Sequence, residues 1–390
     1  METQFKPYTG NITLRHTSPI PVLHIIKSLG RGGAETLLPE TLAQHDTNKF
    51  NFHYIYFLPW KNQMVDAIQK AGGFVTCIPA KNNIAIMSKA FRIAAYVKKH
   101  KIKLIHCHLP WAGIVGRLVG KLTGVPVVYT EHNSWERYHK FTYLLNKFSF
   151  FSQEQVIAVS ADVANSIKTH YKRTKPQIDV VLNGINTDKF SPNSPTGRNI
   201  RQELNIPAHA TVIGLACVFR KQKRVSVWLE IAKQLHGRFP DTHFIIAGDG
   251  PLRAEIDAKA SELNTGNFVH FVGLQTEIKP YLQAMDIFMM TSEFEGLPIA
   301  LMEAMSMECM PACTTAGGIG ELINDNINGI LVPVSTPLQL VERLSACLED
   351  PSTIKAMGKA ARETVVARFG MPQMVAQIET LYDNLLNRKL

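Results

Sequence analysis

Two glutamates eight residues apart, Glu295 and Glu303, lie in the stretch T-S-E-F-E-G-L-P-I-A-L-M-E-A-M that runs from Thr291 to Met305. Pro298 suits the first turn of a helix, where a missing N–H costs nothing. Glu295 then falls in the loop before that helix, and Glu303 about one and a half turns inside it. The helix is otherwise largely apolar, with Ile299, Leu301, Met302, Met305 and Met307. A carboxylate in such surroundings needs a partner, because an unpaired buried charge is costly. Ribose hydroxyls are apt partners for Glu303, and the free amides around residues 297–300 could hold phosphate oxygens. The competing reading is two solvated glutamates flanking a core helix. A second stretch, Arg220-Lys221-Gln222-Lys223-Arg224, puts four cations in five residues. At a loop that opens a helix this suits a diphosphate; a solvated charge run is the alternative.

Three further stretches carry polar chemistry. Gly30-Arg31-Gly32-Gly33-Ala34-Glu35 is a glycine-rich turn whose backbone can approach a ligand closely, with a helix start behind it that favours an anion or a sugar hydroxyl. It is not G-x-G-x-x-G, which argues against a nicotinamide dinucleotide; a tight structural turn is the alternative. Leu104-Ile105-His106-Cys107-His108 and Tyr129-Thr130-Glu131-His132-Asn133 read as strand ends. His106 and His108 share one side of an extended strand, and a metal would need a third ligand that only geometry can supply. Each histidine is otherwise a hydroxyl partner or acid–base group near a cleft, or a group satisfied by its own backbone neighbours.

The elements that must position these residues follow from the pattern. Short apolar runs at 22–26, 52–57, 74–78, 104–107, 125–130 and 156–159 alternate with longer amphipathic stretches. The pattern restarts at 212–218, 243–247, 268–272, 287–290, 310–314 and 330–332. Runs this short and apolar on both faces read as parallel strands covered by helices. Between the two sets, F-S-P-N-S-P-T-G-R-N reads as a linker. The expected organisation is α/β, with Rossmann-like domains over 1–190 and 200–370 and a closing helix over 371–390. Ligands of such domains bind outside the carboxyl ends of the strands.

Composition narrows the classes. The 390 residues are 45% hydrophobic and 19% charged, an ordinary globular balance. The first twenty residues hold no apolar core, so no secretory signal is expected, and no apolar run is long enough to span a bilayer. Six cysteines are too sparse for a disulfide scaffold and read as reduced, mostly buried thiols of a cytoplasmic protein. The net charge of +10 implies an anionic partner: nucleic acid, an anionic membrane surface or a phosphorylated ligand. Scattered cations and the absence of a nucleic-acid module argue against nucleic acid. Trp111, Trp135, Arg137, Tyr138, His139, Lys140, Phe141 and Tyr143 interleave basic and aromatic residues, as an interfacial segment would. The alternative is a cleft-lining loop followed by a packed helix.

In these residues the chain resembles the retaining GT-B glycosyltransferases of the family-4 type, the bacterial glycosyl transferases group 1. The glutamate pair gives the E-x7-E pattern of that family. G-G-A-E at 32–35, T-x-H at 130–132, V-S at 159–160 and N-G-I-N-x-x-x-F at 183–190 follow in the family's order. So do G-D-G-P-L at 248–252, F-V-G at 271–273, A-x-D at 284–286 and G-G-I-G-E at 317–321. The family's G-R before the phosphate lysine is absent: Cys217-Val218 stands there and the arginine comes at Arg220. Lys223 is therefore the firmer phosphate ligand, with Lys221 or Arg224 able to substitute for Arg220.

The resemblance implies the GT-B architecture, two facing Rossmann-like domains with a C-terminal helix crossing back to the first. It implies transfer of a sugar from a nucleotide diphosphate sugar, UDP-linked, to a hydroxyl of a glycan or lipid-linked acceptor, without a metal or other cofactor. By the same resemblance Glu295 meets the donor sugar near its reacting carbon, His132 contacts that sugar, and Lys223 and Arg220 neutralise the diphosphate. Glu303 holds the ribose; Gly32, Gly33, Gly273, Gly296, Leu297, Pro298 and Ile299 line the nucleotide-sugar site; His108, Trp111 and Asn133 line the acceptor side. Relatives of this kind build bacterial surface polysaccharides, lipopolysaccharide among them, on the cytoplasmic membrane face. The competing classes are a nucleotide-sugar epimerase or a phosphorylase of the same architecture, and a non-catalytic nucleotide-sugar-binding protein.

Overall fold

A computed structural model describes residues 18–388. Its first half is a seven-stranded parallel sheet of β1 (Ile20–Ile26), β2 (Phe50–Tyr56), β3 (Phe74–Cys77), β4 (Leu104–His108), β5 (Val127–Glu131), β6 (Gln155–Ala158) and β7 (Gln177–Val180), in the order β3-β2-β1-β4-β5-β6-β7. The second half is a six-stranded parallel sheet of β8 (Thr211–Ala216), β9 (Thr242–Ala247), β10 (Val269–Gly273), β11 (Ile287–Met290), β12 (Met310–Thr314) and β13 (Ile330–Val332), in the order β10-β9-β8-β11-β12-β13.

The apolar runs become these strands because helices cover both faces. Val22, Leu23, Ile25 and Ile26 of β1 and every residue of β11 are buried. The strand that the apolar pattern does not reveal is β7. Its sequence Q-I-D-V has no apolar run, among the described residues it pairs only with β6, and its outer residues are exposed, as suits an edge.

Strand order reverses at β1 and β4 in the first sheet and at β8 and β11 in the second. The crevices of doubly wound sheets form outside the carboxyl ends of such strand pairs. The glycine turn follows β1, His108 ends β4, the cation run follows β8, and the first of the two glutamates follows β11. The topology thus brings all four stretches to two facing crevices.

The chain crosses between halves twice at one place. Ile185 N–H donates to the Phe369 carbonyl at 2.9 Å, and Met371 N–H donates to the Ile185 carbonyl at 2.9 Å. The closing helix, Met371–Asn387, then packs back on the first half with Met374, Val375 and Tyr382 buried. Its Glu379 carboxylate lies 2.8 Å from His45 Nδ1 and accepts from Asp46 N–H at 2.9 Å. The cysteines are free thiols, four of them buried. Among the described residues no helix is long and apolar enough to cross a membrane.

Candidate active site

The second half contributes the charged wall. After β8 the chain turns through Arg220 to Arg224, and Lys223 Nζ donates to Glu295 Oε1 at 2.6 Å. Both side chains are largely screened from solvent, with 18% and 11% exposed. The two loops are buttoned together: Glu293 N–H donates to the Gln222 carbonyl at 2.7 Å, and Thr291 Oγ1 donates to the carbonyls of Lys223 and Arg224 at 3.0 and 3.1 Å. Arg224 is spent on this scaffold. Its guanidinium donates to the Thr291, Val334 and Ser292 carbonyls at 2.7, 2.9 and 3.5 Å. That corrects the expectation that Arg224 could stand in as a phosphate ligand. Arg220 and Lys221 remain exposed beside the crevice.

The helix expected after Glu295 is Ile299–Ser306, with Pro298 just before its first residue and Leu297 and Ile299 buried. Its first amides have no intrahelical acceptor. Glu303 lies inside it, beside the Lys189–Glu40 ion pair, whose N···O distance is 2.6 Å. Burial, with Glu40 adding to it and Lys189 opposing, pushes the Glu303 carboxyl up to about 8. Gly273 closes β10 with φ +69°, a left-handed conformation that suits glycine, and its carbonyl accepts from Gly248 N–H at 2.8 Å.

The two halves meet at backbone distance. A Cβ on Gly296 would lie 2.2 Å from the His132 carbonyl oxygen, and one on Gly318 would lie 2.0 Å from that of Gly296. Only glycine permits this approach, so the loop carrying Glu295 is seated directly against the strand end carrying His132. Asn183 Nδ2 donates to the Leu297 carbonyl at 3.2 Å, Arg31 donates to the Gln275 carbonyl at 3.0 Å, and the Arg137 guanidinium lies 4.1 Å from the Phe294 ring centroid. Gly33 opens the Gly33–Leu42 helix after Gly32, and a Cβ on it would sit 3.5 Å from Ile299. Glu35, half-buried and raised by that desolvation, accepts from Ser28 at 3.1 Å.

The first half contributes a neutral wall. His108 stacks with both His24 and His106, and the three ring centroids lie 4.3–5.2 Å apart. His24 Nδ1 lies 2.9 Å from His108 Nε2, and His108 Nδ1 lies 3.4 Å from His132 Nε2. His106 is held by the Tyr382 hydroxyl at 2.5 Å and by Thr130 Oγ1 at 2.6 Å. Burial lowers His106 to about 3 and His132 to about 4, and depresses His24 and His108 strongly, so the rings are neutral. His24 supplies a third ring nitrogen near His106 and His108. The rings bond one another, Tyr382 and Thr130, and leave His24 Nε2 buried without a hydrogen-bond partner among the described residues. They line a small open-mouthed hollow of about 40 Å³ with apolar walls from Leu37, Ile157 and Val181, closed on one side by Met374 and Ile378 of the last helix.

The residue that sequence reasoning passed over is Glu131. It is fully buried at the end of β5 and accepts from the Tyr129 hydroxyl and Trp135 Nε1 at 2.9 Å each, from the Tyr138 hydroxyl, and from His132 N–H at 3.0 Å. Burial raises its carboxyl while these donors oppose the rise. It sets the turn that presents His132 and Asn133. The signal was a carboxylate inside an apolar strand followed by two aromatics that carry polar hydrogens, Trp135 and Tyr138. Those residues are buried or partly buried, and Trp111 is 8% exposed, its ring 6.3 Å from that of Phe141. Of the acceptor-side set, His108 lines the hollow, while Trp111 and Asn133 do not.

Comparison with known proteins adds to this geometry. Residues 31–189 match the family described as Glycosyltransferase Family 4, and residues 197–364 match Glycosyl transferases group 1. The chain belongs to the group 1, family-4-type glycosyltransferases. It is 26% identical over 314 residues to the Escherichia coli UDP-Gal:alpha-D-GlcNAc-diphosphoundecaprenol alpha-1,3-galactosyltransferase, covering 78% of this chain and 81% of that one. It is 27% identical over 324 residues to the D-inositol 3-phosphate glycosyltransferase of Corynebacterium kroppenstedtii, covering 75% and 70%. Among solved structures, Anabaena Alr3699/HepE in complex with UDP-glucose superposes with a TM-score of 0.84 at 21% identity, covering 93% of this chain and all of that one. This glycosyltransferase therefore has the GT-B architecture, its two Rossmann-like domains facing across the crevice described above.

Proposed function

We propose that this glycosyltransferase is a retaining, metal-independent hexosyltransferase. In this reading it moves a sugar from a UDP-linked donor to a hydroxyl of a glycan or lipid-linked acceptor, in assembly of bacterial surface polysaccharide at the cytoplasmic membrane face. The observation that carries the reading is the 2.6 Å Lys223–Glu295 pair, held between the cation loop and the helix start. Breaking the bond between sugar and diphosphate loads negative charge on the leaving group. Fixed donors aimed at that charge are the largest expected rate contribution. Lys223, Arg220 and the first amides of the Ile299–Ser306 helix are those donors. Glu295 then faces the reacting carbon, Glu303 takes the ribose hydroxyls, and the neutral His132 ring offers a hydrogen bond to the sugar. On the acceptor side, an uncharged hollow lined by His108 and apolar residues suits a hydroxyl better than an anion. The UDP and lipid-linked parts are supported by the names of the Escherichia coli relative and the Alr3699/HepE complex.

The test is incubation of the purified protein with a panel of nucleotide sugars and glycan or polyprenyl-diphosphate-sugar acceptors, with and without EDTA. Nucleoside diphosphate release coupled to glycosylation, unchanged by EDTA, is expected. Absence of both release and binding with every donor would sink the proposal.

A further inference from the structure

Six exposed apolar residues of the first half lie on two neighbouring helices and the turn that follows them. In the Lys140–Ser149 helix, Phe141, Leu144 and Phe148 recur at i, i+3 and i+7 and are 51%, 47% and 73% exposed. In the neighbouring Pro110–Thr123 helix, Leu118 and Leu122 are 37% and 40% exposed, and Phe151, just beyond the first helix, is 51% exposed. Soluble surfaces rarely gather such residues without a partner. Nor is this face loosely held: the buried Asn146 amide accepts from Arg117 at 2.8 Å, and Leu145 and Tyr143 pack on the core.

The charge on this face has one sign. Neither helix contains an aspartate or glutamate. Lys121 Nζ lies 5.1 Å and the Arg173 guanidinium 5.7 Å from the Phe151 ring centroid, and Lys140 and Lys147 flank the apolar stripe on its own helix. Apolar side chains rimmed by cations match an anionic lipid surface, with rings entering the acyl boundary and ammonium groups meeting phosphates. This surface shares Lys140 and Phe141 with the interfacial segment expected from sequence, whereas Trp111 and Trp135 are buried in the fold.

We infer that the outer face of the Pro110–Thr123 and Lys140–Ser149 helices docks this glycosyltransferase on an anionic bilayer. The first helix starts two residues after His108, and the second follows the loop that begins at His132, so both begin at the crevice and lead away from it. A lipid-linked acceptor would thus reach the hollow from the docked side. That purpose rests on the functional reading above; the surface itself does not.

The experiment is cosedimentation of the full chain with phosphatidylcholine vesicles, alone or containing phosphatidylglycerol, alongside light scattering and a UDP titration. Binding to the anionic vesicles, weakened by salt, is expected. The Leu144→Glu/Phe148→Glu variant should lose at least about tenfold of it, and Lys121→Gln/Lys147→Gln a smaller share. Phe91→Glu, at a residue 75% exposed on another helix, should leave it unchanged. Vesicle binding without UDP binding would overturn the functional reading and support the docking surface. Absence of vesicle binding, or binding that Leu144→Glu/Phe148→Glu leaves intact, would overturn the docking surface. So would a dimer that this variant converts to monomer without any vesicle binding, since the face would then belong to a second copy.

Discussion

The two walls of the crevice are built from opposite electrostatics on similar scaffolds. Each lies at the strand-order reversal of a parallel sheet. The second-half wall keeps its charges, with Lys223 against Glu295 and Arg220 and Lys221 exposed, while burial in an apolar helix holds back the ionisation of Glu303. The first-half wall suppresses charge, with four histidines held neutral and Glu131 sunk behind them under five donors. One fold, used twice, can therefore offer a site for a leaving anion and a site for a neutral hydroxyl. The difference is made by what stands at the strand ends.

The sharpest way to break this contrast is at the charged wall. Lys223→Ala should lower the transfer rate about 10²–10³-fold, because its charge counts most as the diphosphate departs. Steady-state kinetics with saturating donor measure it; a fall in donor affinity alone would make Lys223 a simple binding contact. On the neutral wall the response is to acid. The folded pKa values of His106, about 3, and His132, about 4, lie below the value near 6.5 expected in the unfolded chain. Their contribution to stability is therefore present above pH 6.5 and is lost as pH falls below it, up to about 2 kcal/mol for each by pH 5. Urea unfolding followed from pH 8 to pH 5 checks this, and a flat profile would mean that the rings titrate alike in the folded and unfolded chain. Glu131→Ala should cost about 3 kcal/mol, since Tyr129, Tyr138 and Trp135 lose a buried acceptor. Equal urea midpoints for variant and wild type would remove Glu131 as the anchor of the His132 turn. The smallest effect concerns Glu303. Ribose hydroxyls donate best to the ionised carboxylate, so UDP affinity should rise about tenfold as pH passes through about 8. Glu303→Gln should flatten that rise, which calorimetric titration across pH 6.5–9 reads directly.

The same contrast governs what the sequence makes legible. Strands and the charged wall could be read because their signals are local: apolar runs such as 287–290, cations bunched within five residues, two glutamates on one loop and helix. The neutral wall is a long-range product. His24, His108 and His132 come from β1, β4 and the residue after β5, which only the sheet order brings together, and Tyr382 reaches His106 from the far end of the chain. β7 escaped because an edge strand needs no apolar run. Arg224 read as a free cation because nothing local reveals that three carbonyls claim its guanidinium. Some of the cations behind the net charge of +10, which in composition alone could mean nucleic acid, gather in the loop after β8 and on the rim of an apolar face.

The most direct test of the account is the anomeric configuration of the product, read by NMR of the glycoside made from an α-linked UDP-hexose, with UDP release followed in the same reaction. The account predicts an α-linked product formed one-for-one with UDP, and loss of both in Glu295→Gln and Lys223→Ala. A β-linked product, or undiminished transfer by either variant, would contradict it.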